Sequence, residues 1–588
     1  MTTTSRTRVS RMAGALVGAV LLASCAQVPR GGPVVEVQVP RAVTPQGLYN
    51  NPKGPEPGDS PSAIVSGFLV AMEATPLQIS TAKKFLTSDA QARWQPQRVV
   101  TYGNRTTPSG VRHVVIRLRA PDQVGARGQW QGPVPRSGRR LDFPMVRENG
   151  EWRIARVPDA LIVPRTFYDQ EYQEADVYFF DPSGRILVPE PVHVPEGSQL
   201  ASALVRSLVR GPGPSLDGVV RSFLPPGLSP AVSVPVSAGG VADVSLNGPD
   251  PGPLSRTTTQ QVLAQLAWTL GQDTSISSFR LTIAGHQIAD TAGAQTFRSG
   301  GGPNDPLDPA VSRATSQYYA LRAGRLVSGQ INQPTPVDGP FGTAARGIRT
   351  FAVSLHGRRV AGVTSDQLLV GPVNAVESAH GPEEAMPVLD GPGLLRPAWD
   401  FAGRLWEVQD TAAGASVVYI DHTGPHVVRV PGLTHQDVTR FLVSRDASRL
   451  VAVLRGASAD RIVVSRIRYD PSGRAVSGTR ARRIPWVSNG SSRIRDIGWT
   501  SPTTIEVLDR ISPSQSEARI LNVDGSTAAD EAAATTISGR VTGLVTSPVG
   551  FPETPYAMLP NSLFVLASVD TSPTTIDIPG LRHITYAG

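Results

Sequence analysis

The hydrophobic residues of this chain first follow a helical spacing and then a strand spacing. Apolar side chains from Ile64 to Met72 recur on one helix face, and Ser60-Pro61 supplies a helix start. A second helix is predicted from near Ser80 to Trp94. From Val114 onward, apolar and polar residues alternate, which is the period of a half-buried strand. Helices followed by a sheet predict an α+β domain over residues 59–170.

A second α+β pattern covers residues 171–290. A strand from Val177 to Phe180 is followed by the turn Asp181-Pro182-Ser183-Gly184. Two amphipathic helices are expected, one after Ser198 and one ending before Gly271. Further strands are predicted at Val232 to Val236, Val241 to Leu246 and Phe279 to Ile283. We therefore expect an open mixed sheet with two helices.

The last part of the chain, residues 316–588, repeats at a fixed interval. A small-residue turn, an arginine and an apolar strand start recur, so that Leu405 lies 45 residues after Val360 and 45 residues before Leu450. A repeat of about 40 to 45 residues rich in short strands is typical of a β-propeller, and this region has room for about six blades.

Weaker echoes of the repeat begin at Thr503 and Asn561. The segment from Tyr318 to Val327 is expected to pair with the final strands and close the ring. Residues 291–315 are rich in Gly, Ala, Ser, Asp and Pro, which predicts an exposed linker. The predicted fold class is therefore multidomain: two α+β domains followed by an all-β propeller.

The beginning of the chain carries a lipidation signal. The single cysteine, Cys25, closes Leu22-Ala23-Ser24-Cys25 behind a short apolar run and an arginine-bearing leader. This pattern predicts a lipoprotein signal peptide over residues 1–24, cleaved between Ser24 and Cys25. Cys25 would then carry S-linked diacylglycerol and an N-linked palmitoyl chain, which anchor the protein to a membrane. Residues 25–58 are rich in proline and are predicted to be a tether.

Charge and motifs narrow the function. The formal net charge is +8, and removal of Arg6, Arg8 and Arg11 with the leader leaves +5, too small an excess to favour a nucleic-acid partner. The sequence has no phosphate loop, zinc-protease helix or nucleophile elbow, so we predict no enzyme, no cofactor and no metal site. One alternative is a propeller glycosidase or lyase with channel carboxylates drawn from Asp400, Asp446 and Asp496.

One arginine-rich segment is a candidate binding surface. Within it, Arg480, Arg482 and Arg483 are predicted to contact an acidic partner, and the alternative is a solvated loop with the outer face of strands. The whole segment carries Arg461, Arg466, Arg468, Arg474, Arg480, Arg482, Arg483, Arg493 and Arg495. In the first domain, Trp94, Trp130 and Trp152 either line a ligand cavity or pack in the core, and core packing is favoured.

Several of these motifs resemble known families. Residues 59–165, ending in Asn149-Gly150-Glu151-Trp152-Arg153-Ile154, resemble an NTF2-like cone. The second domain resembles a GerMN domain. The matching motifs are Phe179-Phe180, Leu208-Val209-Arg210-Gly211-Pro212, Leu224-Pro225-Pro226-Gly227 and Val241-Ala242-Asp243-Val244.

The order of all the modules, together with Ser24-Cys25-Ala26-Gln27-Val28-Pro29 and the segment from Ser60 to Leu69, resembles the actinobacterial lipoprotein family LpqB. The resemblance implies a lipoprotein on the extracytoplasmic face of the cell membrane that binds the extracellular domain of the sensor histidine kinase MtrB. It would modulate phosphorylation of the response regulator MtrA, and through it cell-wall homeostasis and division. An envelope protein that binds peptidoglycan or another cell-wall glycan is the other non-enzymatic alternative.

Overall fold

The structure is a computed structural model, and it describes residues 50–290, 292–300, 305, 307, 317–331, 333–378, 381–486, 492–527, 534–547, 555–566 and 575–588. The predicted signal peptide, the predicted lipidation site Cys25 and most of the predicted tether lie outside these residues. Everything described below belongs to one compact unit, Asn51–Gly588. None of the helices among the described residues combines the length and the apolar character that a membrane span requires.

The N-terminal domain is α+β, as the hydrophobic pattern predicts. The elements are α1 Pro61–Ala71, α2 Ser80–Lys83, α3 Ser88–Arg93, β1 Arg98–Tyr102, β2 Asn104–Arg105, β3 His113–Arg119, β4 Asp122–Val124, β5 Trp130–Pro133, β6 Arg140–Glu148, β7 Glu151–Ile154, β8 Ala160–Pro164 and α4 Arg165–Glu171. The strands form two sheets, in the orders β5-β4-β1-β8 and β2-β3-β6-β7. Because β1 pairs with the distant β8 in parallel, the strands are not a simple meander.

The prediction of one helix from Ser80 to Trp94 is wrong, because the chain leaves the helix between α2 and α3. Leu86 makes a β-bridge to Ile154, and the Thr87 amide donates to the Ile154 carbonyl at 3.0 Å. The Thr87 hydroxyl then accepts from the Ala90 amide at 3.2 Å and caps α3. Pairing with β7 and a new N-cap outweigh the helical periodicity.

The second domain contains a long hairpin and a mixed sheet, in which Ser229–Pro230 (β11), Val241–Asn247 (β12), Ser278–Ile283 (β13) and His286–Gln287 (β14) lie side by side in that order. The predicted Val232 to Val236 strand is wrong: Val232 is 96% exposed, and only Val236 bridges Ala242. Pro235 lacks the amide that a strand ladder needs. The elements are β9 Tyr172–Phe180, β10 Leu187–Pro195, α5 Leu200–Val209, β11 Ser229–Pro230, β12 Val241–Asn247, α6 Arg256–Leu270, β13 Ser278–Ile283, β14 His286–Gln287 and β15 Phe297–Arg298.

Strands β9 and β10 form a separate two-stranded ladder beside this sheet. The turn between them is built by Asp181, whose carboxylate accepts from the Ser183 and Arg185 amides at 2.9 and 2.7 Å. Strand β15 lies inside the segment predicted to be a linker, and it pairs with β13. The beginning of that segment therefore extends the second domain's sheet.

The remaining strands form six four-stranded sheets in the described part of the chain, which confirms the propeller prediction. The first three blades are formed by β16 Tyr318–Arg322, β17 Arg325–Gln330, β18 Gln333–Pro336 and the C-terminal β42 Leu581–Tyr586 (first blade); by β19 Thr350–Val353, β20 Arg359–Val363, β21 Gln367–Pro372 and β24 Met386–Asp390 (second blade); and by β25 Ala398–Trp399, β26 Leu405–Thr411, β27 Gly414–Asp421 and β28 Gly424–Val428 (third blade). The last three blades are formed by β29 Val438–Val443, β30 Arg449–Leu454, β31 Arg461–Tyr469, β32 Ala475–Gly478 and the additional strand β33 Arg482–Arg483 (fourth blade); by β34 Arg493–Trp499, β35 Thr504–Ser512, β36 Gln515–Asn522 and β37 Thr535–Ser538 (fifth blade); and by β38 Gly543–Val545, β39 Tyr556–Met558, β40 Ser562–Val565 and β41 Thr575–Asp577 (sixth blade). Strands β22 Glu377–Ser378 and β23 Gly381–Pro382 form a two-stranded ribbon between β21 and β24 of the chain. A short helix, α7 Pro340–Thr343, precedes the second blade.

The ring closes through strands from its two ends. Strand β42 pairs with β16, with Tyr318 opposite Tyr586, and so completes the first blade, as the sequence predicts. The inner strands contact one another in the order β42, β19, β25, β29, β34 and β38, and β38 contacts β42 again. This circle of inner strands is the axis of the propeller.

The sequence repeat corresponds to the turn between the first and second strands of successive blades. Val360, Leu405 and Leu450 all lie at the start of a second strand, and Thr503 precedes the same strand in the fifth blade. The echo at Asn561 is misplaced, since it falls between β39 and β40, the second and third strands of the sixth blade.

Candidate functional site

A buried ionic cluster joins the second domain to the propeller. Glu190 on β10 receives both guanidinium nitrogens of Arg466 on β31, at 2.8 and 2.5 Å. Arg449, at the start of β30, lies 3.4 Å from the same carboxylate and donates to the Pro189 carbonyl. Asp446 accepts from Arg449 at 3.3 Å. The side chain of Arg449 is fully buried and that of Glu190 is nearly so, and the cluster is a largely buried ionic contact between two domains.

Burial dominates the electrostatics of this cluster. Burial, reinforced by the neighbouring Arg449, lowers the pKa of Arg466 to about 10. Burial also raises the pKa of Asp176, on β9, to about 7, although the positive charge of Arg449 opposes that shift. The two arginines repel each other and are held together by the carboxylates of Glu190 and Asp446.

A second polar contact joins the same two domains. His193 on β10 hydrogen-bonds Asp524 with 3.2 Å between Nε2 and Oδ2, and Glu174 on β9 accepts from Ser526 at 3.3 Å and from Asn522. Burial and the nearby negative charge of Asp524 raise the pKa of Glu174 to about 8. Burial opposes ionisation of Asp524 as well, but the hydrogen bond from His193 lowers its pKa.

The carboxylates and imidazole of this second contact could also serve as metal ligands. One ligand atom each from Glu174, His193 and Asp524 lies within 4.8 Å of the others. Each of the three groups already has a hydrogen-bond partner in the protein. The contact is therefore complete as an interdomain link.

The N-terminal domain also contacts the second domain at His193. The His193 amide donates to the Gly128 carbonyl at 2.7 Å, and the Trp130 ring lies 5.3 Å from the His193 ring. Trp94 packs instead on Phe68 in the core of its own domain, with 5.3 Å between ring centroids. The predicted tryptophans thus do not line a common cavity: Trp94 is a core residue, Trp130 lies at the domain junction, and the half-buried Trp152 is covered by Arg147.

Between these contacts lies a cavity of about 460 Å³, called the junction cavity below. All three domains contribute to its wall. The charged residues of the wall are Arg127, Glu190, Arg449, Arg466, Arg468, Arg480, Arg482 and Asp524. Six arginines and two carboxylates give it a positive character.

Two of the three arginines predicted to bind a partner reach this cavity. Arg480 and Arg482 line it, whereas Arg483 is exposed on β33 and does not. Strand β33 adds to the edge of β31, where Arg482 lies opposite Val464. Other arginines of the segment have separate roles: Arg466 belongs to the ionic cluster, Arg474 pairs with Asp470 and Arg493 pairs with Asp460.

The three carboxylates considered for a propeller enzyme do not share one site. Asp400 is buried in its turn and accepts from Arg404 at 2.7 Å and Trp406 at 2.8 Å. Asp446 belongs to the ionic cluster. Asp496 alone of the three lines the cavity of about 280 Å³ among the inner strands, together with basic residues that include Arg396 and Arg440. The geometry therefore does not form the carboxylate pair that glycoside cleavage uses.

Sequence models of three domains match the chain in the order of the observed architecture. Residues 54–169 match "Lipoprotein LpqB, N-terminal domain", residues 176–289 match "Sporulation and spore germination", and residues 324–548 match "Lipoprotein LpqB beta-propeller domain". The second match agrees with the GerMN resemblance of that domain. Together the three models span most of the described residues.

Relatives named Lipoprotein LpqB occur in several actinobacteria. The protein from Thermobifida fusca is 27% identical, over 91% of this chain and 92% of its own. The Mycobacterium bovis protein is also 27% identical, over 98% of both chains. The Cutibacterium acnes protein is 32% identical over 48% of each.

Among solved structures, TolB from Acinetobacter baumannii is 12% identical, with 61% of this chain and 99% of TolB covered and a TM-score of 0.31. The first GerMN domain of GerM from Bacillus subtilis is 22% identical, with 23% and 99% covered and a TM-score of 0.18. The family assignment rests on the sequence matches and on the domain order. The chain belongs to the LpqB family of lipoproteins.

Proposed function

We propose that this protein is a lipid-anchored accessory of a sensor histidine kinase. It would sit on the extracytoplasmic face of the cell membrane through Cys25 and bind the extracellular domain of an MtrB-like kinase. Binding would modulate the two-component signalling that controls cell-wall homeostasis and division. Membership of the LpqB family and the lipobox in the sequence support this role, and a binding role without catalysis agrees with the scattered propeller carboxylates.

The observation that carries the proposal is a short exposed edge of arginines on the fourth blade. Arg480, Arg482 and Arg483 are all exposed, and none of them pairs with a carboxylate in the described part of the chain. We call these three residues the arginine edge. Guanidinium groups of this kind form bidentate contacts with acidic side chains, so the edge suits an acidic surface on a partner.

The buried ionic cluster connects the arginine edge to the second domain. Arg466 lies on β31, the strand that β33 extends, and Arg466 holds Glu190 of the second domain. A partner docked on the arginine edge would therefore engage a propeller that is fixed to the other domains. A lipid anchor raises the effective concentration of the edge near a membrane partner. Signalling follows only if one kinase conformation binds the edge more tightly than the other.

The test is a binding measurement with a charge-matched control. Arg480→Ser, Arg482→Ser and Arg483→Ser are combined in one variant of the full chain, and Arg112→Ser, Arg117→Ser and Arg119→Ser in another. The second set removes the same charge from exposed positions of the N-terminal domain. Surface plasmon resonance on the kinase ectodomain should show at least about tenfold weaker binding for the first variant, with the difference shrinking at high salt.

Equal weakening by both variants would mean that only net charge matters and would reject the arginine edge. Absence of binding by the unaltered chain would reject the kinase partner itself. Sedimentation with purified cell wall is run in parallel, and wall binding without kinase binding would favour the glycan-binding alternative. In cells, Cys25→Ser should release the protein from membranes and reduce kinase output, measured as response-regulator phosphorylation.

A further inference from the structure

The junction cavity has more positive charge than the protein neutralises. Arg127, Arg468, Arg480 and Arg482 line it, and none of the four lies within ion-pair distance of a carboxylate among the described residues. The hydrogen bonds of Arg127 Nε and Arg482 go to backbone carbonyls, of Arg210 at 3.3 Å and of Asp524 at 2.7 Å. Two domains supply these arginines, so their convergence is a property of the assembled protein.

Both carboxylates in the cavity wall already have partners within the protein. Glu190 is held by Arg466 and Arg449, and Asp524 is held by His193. Arg449 borders the cavity, but its side chain has no exposed surface, so the four unpaired arginines and not Arg449 would contact a ligand.

Apolar side chains form another part of the wall, beside polar side chains such as Ser207 and Thr479. Trp130, Phe179, Leu216, Val464 and Val523 line the cavity beside the arginines. Its volume of about 460 Å³ lies within the usual range for small-molecule sites. A ligand that fits both parts of the wall has an anionic group at one end and an apolar body at the other.

We propose that the junction cavity binds a small amphiphile that carries a phosphate group. The phosphate would lie among the arginines, because several guanidinium forks can share its oxygens, and the apolar body would lie against Trp130 and Phe179. The cavity shares Arg480 and Arg482 with the arginine edge, whereas Arg127 and Arg468 belong to the cavity alone. Since three domains form the wall, an occupied cavity would also tighten their association.

Octyl phosphate, used below its critical micelle concentration, is the probe. Isothermal titration calorimetry is done on the mature full chain carrying Cys25→Ser, which needs no detergent. Octyl phosphate should bind at least about tenfold more tightly than inorganic phosphate or octanol, because each of these supplies only half of the required contacts. Equal affinity for octyl phosphate and inorganic phosphate would overturn the amphiphile assignment.

The variant Arg127→Ser with Arg468→Ser should weaken octyl phosphate binding by about tenfold or more. Neither residue belongs to the arginine edge, so this variant should leave kinase binding unchanged. The control is Arg461→Ser, an exposed arginine on the same strand as Arg468 but outside the cavity. Thermal melting verifies that all variants fold. The same affinity in the double variant and the control would overturn the proposal.

A second arm identifies the source of the phosphate. Vesicles containing phosphatidic acid compete with octyl phosphate if the natural ligand is a membrane lipid. Octyl phosphate binding that the same vesicles leave unchanged indicates a soluble phosphate ester. Either result supports the cavity as a phosphate site, whereas failure to bind octyl phosphate at all rejects it.

Discussion

The third and fourth blades carry the same turn but use its arginine differently. Arg404 and Arg449 occupy equivalent positions of the repeat. Arg404 pairs with Asp400 at 2.7 Å and lies over the Tyr469 ring of the next blade. Arg449 pairs with Asp446 but also reaches Glu190 of the second domain. One repeated turn thus connects blade to blade in the first case and domain to domain in the second.

In the second blade, the equivalent residue, Arg359, contacts neither another blade nor another domain through an ion pair in the described part of the chain. Arg359 pairs with Glu383 at 2.8 Å, with 44% and 35% of the two side chains exposed. This pair is partly exposed to solvent, whereas the side chain of Arg449 is completely buried. Burial and partner, and not the repeat itself, therefore decide how much the arginine contributes to stability.

The largest effect is expected at Arg449. Arg449→Met should lower the free energy of unfolding by about 3 to 5 kcal/mol, because it leaves Asp446 buried without its cation and removes one partner of Glu190. Urea denaturation of the full chain measures the loss. We also expect the second domain and the propeller to unfold in separate transitions. A single transition with unchanged midpoint would contradict the role of this residue in joining the domains.

The same substitution at Arg404 should have an intermediate effect. Arg404→Met should cost about 2 kcal/mol, because Asp400 keeps its hydrogen bond from Trp406 and its turn amides. The unfolding transition should remain single, since no contact with another domain is lost. Two separated transitions in this variant would show that the comparison between the blades is wrong.

The polar contact at Glu174 should make the free energy of unfolding depend on pH. The pKa of this carboxyl is about 8 in the folded protein against an ordinary value of 4.5. A raised pKa means that the stabilising effect is complete below pH 4.5 and is lost as the pH rises through 8. Glu174→Gln removes the titration and should therefore be more stable than the unaltered chain by about 1 kcal/mol at pH 9, with no such gain at pH 5.

Urea denaturation at the two pH values measures this difference. The control is Glu377→Gln, an exposed glutamate of the second blade, which should show equal stability differences at both pH values. A Glu174→Gln variant that loses stability on going from pH 5 to pH 9 as steeply as the unaltered chain would contradict the assignment.

The smallest effect is expected at Arg359. Arg359→Met should change the free energy of unfolding by about 0.5 kcal/mol or less, since an exposed ion pair is screened by water and salt. The series Arg449, Arg404 and Arg359 then compares one substitution at one repeat position in three surroundings. A cost at Arg359 as large as at Arg449 would show that the turn, and not its burial, sets the energy.

The sequence predicts those structural features that depend on residues close together along the chain. The propeller repeat and the two Asp-Pro-Ser-Gly-Arg turns, which begin at Asp181 and Asp470, are recognisable because short spacings determine them. In both turns the aspartate accepts from amides two and four residues later. The helix break at Thr87 was missed because it depends on pairing with Ile154, a residue far along the chain.

The sequence does not predict the contacts between the second domain and the propeller, for the same reason. Arg466 was predicted to belong to a free arginine surface, but its partner Glu190 lies 276 residues away. His193 and Asp524 are 331 residues apart. One signal was available: Glu190 and His193 interrupt the apolar run from Ile186 to Val194, and a polar residue in a buried strand requires a partner. Sequence spacing alone does not identify that partner.

The pairing of β16 with β42 has a consequence for folding during export. A chain that crosses the membrane from its N-terminus, as proposed above, presents β16 before the other blades and β42 only after them, so the first blade has an unpaired edge while the rest of the propeller emerges. An open edge is a template for aggregation, and a contact between such distant segments forms slowly. Chains that stall before β42 emerges should therefore be the species that extracytoplasmic chaperones and proteases recognise.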